Sequence, residues 1–76
     1  MSSRDFGRRV KASRSLVGMT QQQLAELIGA SSVAISNWEN NTAQPNVSML
    51  RALCQTLNVS PVFLLGLDEH DETTHK

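Results

Sequence analysis

An all-α fold, a compact bundle of five short helices, is predicted by three observations. Apolar residues recur at intervals of three and four, as in Leu24, Leu27 and Ile28 or in Leu53, Cys54 and Leu57, which is the period of a helix with one buried face. Helix-starting and helix-stopping residues punctuate that pattern so closely that each helix must be short. The chain has 76 residues, enough for one small domain that buries only about 60% of its unfolded surface, so its core must be tightly packed.

The elements follow in order. Ser2 or Ser3 caps a first helix running to about Val17, with Phe6, Val10 and either Leu16 or Val17 facing the core, Gly18 stopping it, and Arg8, Arg9 and Lys11 on or near its exposed side. Thr20 and Gln23 form a capping box, so a second helix starts near Gln21, and Gly29 ends it because glycine accepts the left-handed turn. Ser31 caps a third helix, whose Ala34, Ile35 and Trp38 form the stripe that packs on the second. Asn40 to Pro45 is a loop. Asn46 caps a fourth helix with a buried stripe of Met49 or Leu50, Leu53, Cys54 and Leu57, and Asn58 ends it. Ser60 caps a last short helix with Pro61 at its first position, where the missing N–H costs nothing. Gly66 closes the domain, taken as residues 1–67. Residues 68–76 are expected to be an acidic flexible tail or the start of a linker.

The third helix carries the functional signal. Ser32, Val33, Ser36 and Asn37 stand at i, i+1, i+4 and i+5, one continuous helix face. None is charged, whereas a face meant only for water usually carries Lys, Glu and Arg. Short hydrogen-bonding groups and one apolar methyl pair suit base edges in a DNA major groove. Val33 is read as a contact for thymine methyl groups in preference to an incidental surface valine, because it sits in the middle of that face. Two helices joined by a tight glycine turn, the second with such a face, make a helix-turn-helix.

The residues Arg14, Gln21, Ala25, Gly29, the run from Val33 to Glu39, Pro45-Asn46 and the run from Ser60 to Gly66 resemble the repressor and Cro helix-turn-helix proteins of lambdoid phages and their XRE-like relatives among bacterial regulators. The resemblance covers nearly the whole chain, and residues 32–39 are similar to the recognition helix of Salmonella-phage-type repressors. It implies a lambda-repressor-like DNA-binding domain in which Gln21, Ser32, Val33 and Asn37 face the DNA. It also implies that Arg14 pairs with Glu39, tying the first helix to the end of the recognition helix, with the guanidinium still able to reach a phosphate. The family often has Lys or Arg in the loop after the recognition helix, where this chain has Asn40, Asn41, Thr42, Ala43 and Gln44. The expected phosphate contacts are therefore Arg14, Gln21, Ser31, Asn40, Asn41, Thr42 and Gln44, mostly neutral donors that release few counterions.

Charge is unevenly placed along a chain whose formal net charge is zero. Residues 1–14 carry Arg4, Arg8, Arg9, Lys11 and Arg14 against Asp5, residues 15–67 carry Arg51 against Glu26 and Glu39, and the tail carries Asp68, Glu69, Asp71 and Glu72 against Lys76. The basic end supplies a phosphate field and the acidic end subtracts from it. Trp38 is assigned to the core, and Cys54, the only cysteine, is read as a small buried hydrophobe that excludes an internal disulfide or a thiol-based zinc site. His70 and His75 lie among tail carboxylates without a packed second shell, so no metal is assigned.

No phosphate loop, nucleophile set or paired carboxylates on one helix face point to an enzyme, and no cofactor or small-molecule ligand is expected. Nor is there a signal peptide or an apolar run of membrane-spanning length, and a cytoplasmic protein is expected. The partner is expected to be double-stranded operator DNA, bound by a homodimer that is weak in solution, with Pro61 and Val62 as its small two-fold contact. That makes the protein a phage or prophage repressor, Cro-like or the amino-terminal domain of a longer chain. An antitoxin-type protein-interaction module, supported by the acidic tail, is the alternative.

Overall fold

The computed structural model describes residues 4–70. Its elements are α1 (Arg4–Leu16), α2 (Gln21–Ile28), α3 (Ser32–Glu39), α4 (Val47–Leu57) and α5 (Pro61–Leu64), followed by a 3-10 turn over Leu67–His70. Ser2 and Ser3, expected to cap α1, and residues 71–76 of the expected tail lie outside the described residues.

Local chemistry sets the boundaries. Each helix from α2 to α5 starts behind a Thr, Ser or Asn whose side chain accepts the backbone N–H three residues on: Thr20 from Gln23 at 3.0 Å, Ser31 from Ala34 at 3.0 Å, Asn46 from Met49 at 2.8 Å and Ser60 from Phe63 at 3.0 Å. Such a cap contributes about 1 kcal/mol. Gln23 Oε1 accepts the Thr20 N–H at 2.9 Å, closing the capping box. Gly29, at φ 77°, ends α2 in the left-handed conformation, and two residues later Ser31 starts α3.

The core takes one fully buried residue from every helix: Val10, Leu24, Ile35, Leu53 and Leu64. Phe6, Ala25, Ile28, Trp38, Cys54 and Leu57 close around them. Trp38 is therefore a core residue, as its stripe predicts. Helix α3 packs on both α1 and α2, while α4 and α5 cover the other side.

Three expectations are corrected. Leu16 and Val17 do not face the core; they are 87% and 47% exposed, and Ser13 is buried in their place. Phe6, Val10 and Ser13 share one stripe, and Leu16 falls off it. Leu27 is 63% exposed, because Leu24, Ala25 and Ile28 point into one sector and Leu27 lies outside it. Arg9 is not on the exposed side. Its Nη1 donates to the Phe63 carbonyl at 2.9 Å and to Asp68 Oδ1 at 3.1 Å, and its Cζ lies 4.6 Å from the Phe63 ring centroid. Planar guanidinium stacking of this kind suits arginine. Through Asp68 it ties the 3-10 turn to α1.

Gly7 sets the approach of α1 to α3. A Cβ there would lie 2.3 Å from the Glu39 carbonyl oxygen and 2.7 Å from that of Trp38. Only glycine allows this backbone contact. The Gly7 N–H donates to Asn41 Oδ1 at 3.1 Å, so the loop after α3 satisfies a donor of α1.

Candidate nucleic-acid interface

Helix α3 presents the face that its spacing predicts. Val33 is 67% exposed, Asn37 is exposed, and Ser32 and Ser36 are half-buried beside them. The opposite face, with Ile35 and Trp38, is in the core. Two of the outward groups are already engaged at the C-terminal end: Ser36 Oγ accepts from Asn40 Nδ2 at 3.4 Å, and Asn37 Oδ1 accepts from Thr42 Oγ1 at 3.3 Å. The Thr42 N–H also closes on the Asn37 carbonyl at 2.9 Å. Asn37 thus keeps its amide donors for an outside acceptor, and the loop is braced against the helix.

Beneath the face lies the ion pair. Arg14 Nε donates to Glu39 Oε2 at 2.7 Å and Nη2 to Oε1 at 3.1 Å, a bidentate fork, while Nη1 donates to the Met19 carbonyl at 2.7 Å. The side chains are only 12% and 2% exposed. Gln21 Nε2 adds a third donor to the carboxylate, on Oε1 at 3.0 Å. Hydrogen bonding to Glu39 holds the Arg14 guanidinium above its usual pKa, against the opposing effect of burial. The cluster joins the end of α1, the start of α2 and the end of α3. No buried side-chain nitrogen or oxygen among the described residues lacks a hydrogen-bond partner.

Of the residues expected at phosphates, Gln21 has one amide N–H on Glu39, and the other six divide into two groups. Ser31, Asn40, Thr42 and Gln44 are exposed around the two ends of α3. Asn41 instead turns its side-chain Oδ1 onto α1, with its backbone at φ 62°, and Arg14 spends its fork on Glu39 and Met19. The short neutral loop of 40–44 reads naturally as a row of donors, yet a left-handed Asn in such a loop signals an internal turn. Of the amino-terminal cations, Arg8 pairs with Asp5 on the surface, Arg9 is held by Phe63 and Asp68, and Lys11 is exposed.

Pro61 and Val62 are exposed, as expected of a contact surface. Pro61 also borders a groove of about 390 Å³ lined by Val47, Leu50, Arg51, Cys54 and Gln55. Sequence reasoning missed Val47, 79% exposed at the head of α4; its place three residues before Leu50 and seven before Cys54, which continues their row along the helix, was the available signal. No three His, Cys, Asp or Glu side chains among the described residues cluster as a metal site would need. No helix among them is long and apolar enough to cross a membrane.

This arrangement is shared. The helix-turn-helix family model matches residues 10–64. Repressor protein C2 of Salmonella phage P22 is 38% identical over 68 residues, which is 90% of this chain and 32% of that protein. Antitoxin PezA of Streptococcus pneumoniae is 32% identical over 64 residues, 84% of this chain and 40% of the antitoxin. The chain thus spans about a third to two fifths of these relatives. Among solved structures, the P22 c2 repressor protein in complex with a synthetic operator superposes with a TM-score of 0.77 at 40% identity, covering 79% of this chain and 91% of that one. With the capped α2, the Gly29 turn, the exposed face of α3 and the match over residues 10–64 together, the chain belongs to the helix-turn-helix family.

Proposed function

We propose that this chain is the DNA-binding domain of a phage-type transcriptional repressor that reads a palindromic operator in double-stranded DNA. Two copies related by a two-fold axis lay α3 into major grooves one helical turn, about 34 to 36 Å, apart. Ser32, Val33, Ser36 and Asn37 face base edges, with Gln21 beside them at the start of α2. Ser31, Asn40 and Gln44 donate to phosphates, Thr42 spends its hydroxyl and its N–H on bracing Asn37 beside them, and backbone N–H groups at the helix starts join in. Pro61 and Val62 form the two-fold contact, too small for the roughly 1,200 to 2,000 Å² of a stable interface, so dimers assemble on the operator. The protein works in the cytoplasm and carries no catalytic activity.

One observation carries this reading: an uncharged polar face with an exposed valine at its centre, on a helix whose far side is anchored in the core. Interface cores for protein partners favour Tyr, Trp, Phe, Met and Arg instead. The likeness to an antitoxin supports a second reading, in which the same helices serve a protein partner. A gel-shift titration against palindromic and random duplexes at several salt concentrations separates the two. A repressor domain binds both, prefers one palindrome by orders of magnitude, and weakens as salt rises. A protein module binds neither duplex at physiological salt.

A further inference from the structure

Gln21 could serve a phosphate or a base, and the structure constrains which of its atoms is available. Glu39 Oε1 already takes Arg14 Nη2 at 3.1 Å and Gln21 Nε2 at 3.0 Å. A carboxylate paired with a guanidinium only accepts hydrogen bonds, so the end of the Gln21 carboxamide against it must be the NH2 group. The opposite flip would set two oxygens face to face. Gln21 therefore keeps its Oε1 and one N–H for anything outside the cluster.

We propose that Glu39 is a positioning residue for operator recognition, which fixes the flip of the Gln21 carboxamide so that its oxygen accepts from an exocyclic amine on a base edge. The inference rests on the DNA-binding reading above and deepens it. The outward carbonyl oxygen has nothing to accept from a phosphate, whose oxygens are acceptors, and can accept from adenine N6 or cytosine N4, which are donors; the one remaining N–H is the only part of this amide open to a phosphate. The half-buried side chain of Gln21 and the nearly complete burial of Glu39 hold the orientation before DNA arrives, so no ordering of that amide opposes binding. The bond also spans the motif, from the first residue of α2 to the last of α3.

The experiment compares wild type, Gln21→Ala, Glu39→Gln and the double variant on the preferred operator and on random DNA. A third duplex replaces the base whose discrimination Gln21→Ala relaxes: purine for adenine, or 2-pyrimidinone for cytosine, each lacking only the amine. Gln21→Ala and the missing amine should each weaken operator binding roughly two- to tenfold, leave random DNA unaffected, and fail to add. Glu39→Gln should show the same selective loss, absent in the Gln21→Ala background. Because Glu39→Gln also weakens the Arg14 pair, the Gln21 side-chain amide is followed by NMR in the free protein, below the unfolding transition. One of its two protons should be shifted and protected in wild type and lose both properties in Glu39→Gln. If Gln21→Ala weakens operator and random DNA alike, Gln21 is a phosphate contact and the proposal is overturned. Additive losses from Glu39→Gln and Gln21→Ala, or an unchanged Gln21 amide signal, overturn it as well. A wild-type protein that binds no duplex at any salt would instead remove the DNA-binding reading, and this inference with it.

Discussion

Replacing Glu39 by alanine should be among the most damaging single changes in the chain. The carboxylate accepts three hydrogen bonds, two from Arg14 and one from Gln21. Its loss leaves the guanidinium, 12% exposed, with only the Met19 carbonyl. A surface pair would contribute about 0 to 1 kcal/mol, but breaking a buried pair costs about 3 to 5 kcal/mol because the survivor stays buried and uncompensated. The slight exposure of Arg14 places Glu39→Ala near the lower end, about 3 kcal/mol. Arg14→Ala should be worse, since the carboxylate it strands is only 2% exposed. A domain of this size has a total stability of about 4 to 11 kcal/mol, so either change removes a large part, and the melting temperature should fall by about 12 °C or more. Trp38, the only tryptophan and 6% exposed, reports unfolding by fluorescence in a urea titration. Arg14→Met with Glu39→Leu should cost much less than the two alanine changes summed, because no charge is left alone. The alanine double-mutant cycle should give a coupling of about 2 to 3 kcal/mol. Additivity within about 0.5 kcal/mol would refute the reasoning.

Val33→Ala should lose about 1 to 3 kcal/mol on the preferred operator and almost nothing on random DNA; uracil for the contacted thymine should cost the same, without adding to it, in binding assays on the four combinations. Equal losses on both DNAs would make Val33 a surface residue only. Truncation after Leu67 should tighten non-specific DNA binding at low salt by removing four carboxylates, and should lower stability by no more than about 1 kcal/mol, the worth of the half-exposed Asp68 bond to Arg9; salt titrations and melts check both. Gly7→Ala should destabilise by about 2 kcal/mol or more even though alanine is the better helix former by about 1 kcal/mol, because its Cβ meets backbone that cannot yield. A stabilised variant would disprove the close approach. Burial raises the Cys54 thiol pKa, so the stability it contributes is complete below its ordinary value of 9.0 and is lost as pH rises through the folded value. Wild type should therefore lose stability relative to Cys54→Ala as pH rises past the ordinary thiol value of 9.0 in urea melts, and a constant difference would count against a buried thiol.

The parts governed by local rules were legible in the sequence. Thr20 with Gln23, Gly29, Ser31, Asn46, Asn58 and Ser60 each act within one turn of themselves, and all stand where their chemistry places them. The uncharged face of α3 follows from spacing alone, and the Arg14 and Glu39 partnership followed from family likeness, since nothing local links residues 25 positions apart. Illegible were the features that depend on which sector of a helix its neighbours cover. Leu16 and Leu27 look like core residues, but the covered sectors run through Phe6, Val10 and Ser13 on α1 and through Leu24, Ala25 and Ile28 on α2, and both leucines lie outside them. Arg9 looks like a surface cation until Phe63, 54 residues later, arrives under it. Gly7 carried a readable signal, an isolated glycine inside a helical pattern, which marks a close approach without naming the partner.

The contact at Gly7 has a further consequence for how such a reader can change. Side-chain layers between helices are compliant, and a swap of one methylene shifts the angle at which they cross; bare backbone against backbone offers no such adjustment. The aim of α3 is therefore set by a joint that contains none of the residues facing outward. Ser32, Val33, Ser36 and Asn37 can be exchanged for other short side chains without altering where the helix points. Target preference and docking pose are in this fold separate variables, and altering the four outward residues is the direct route to a new operator.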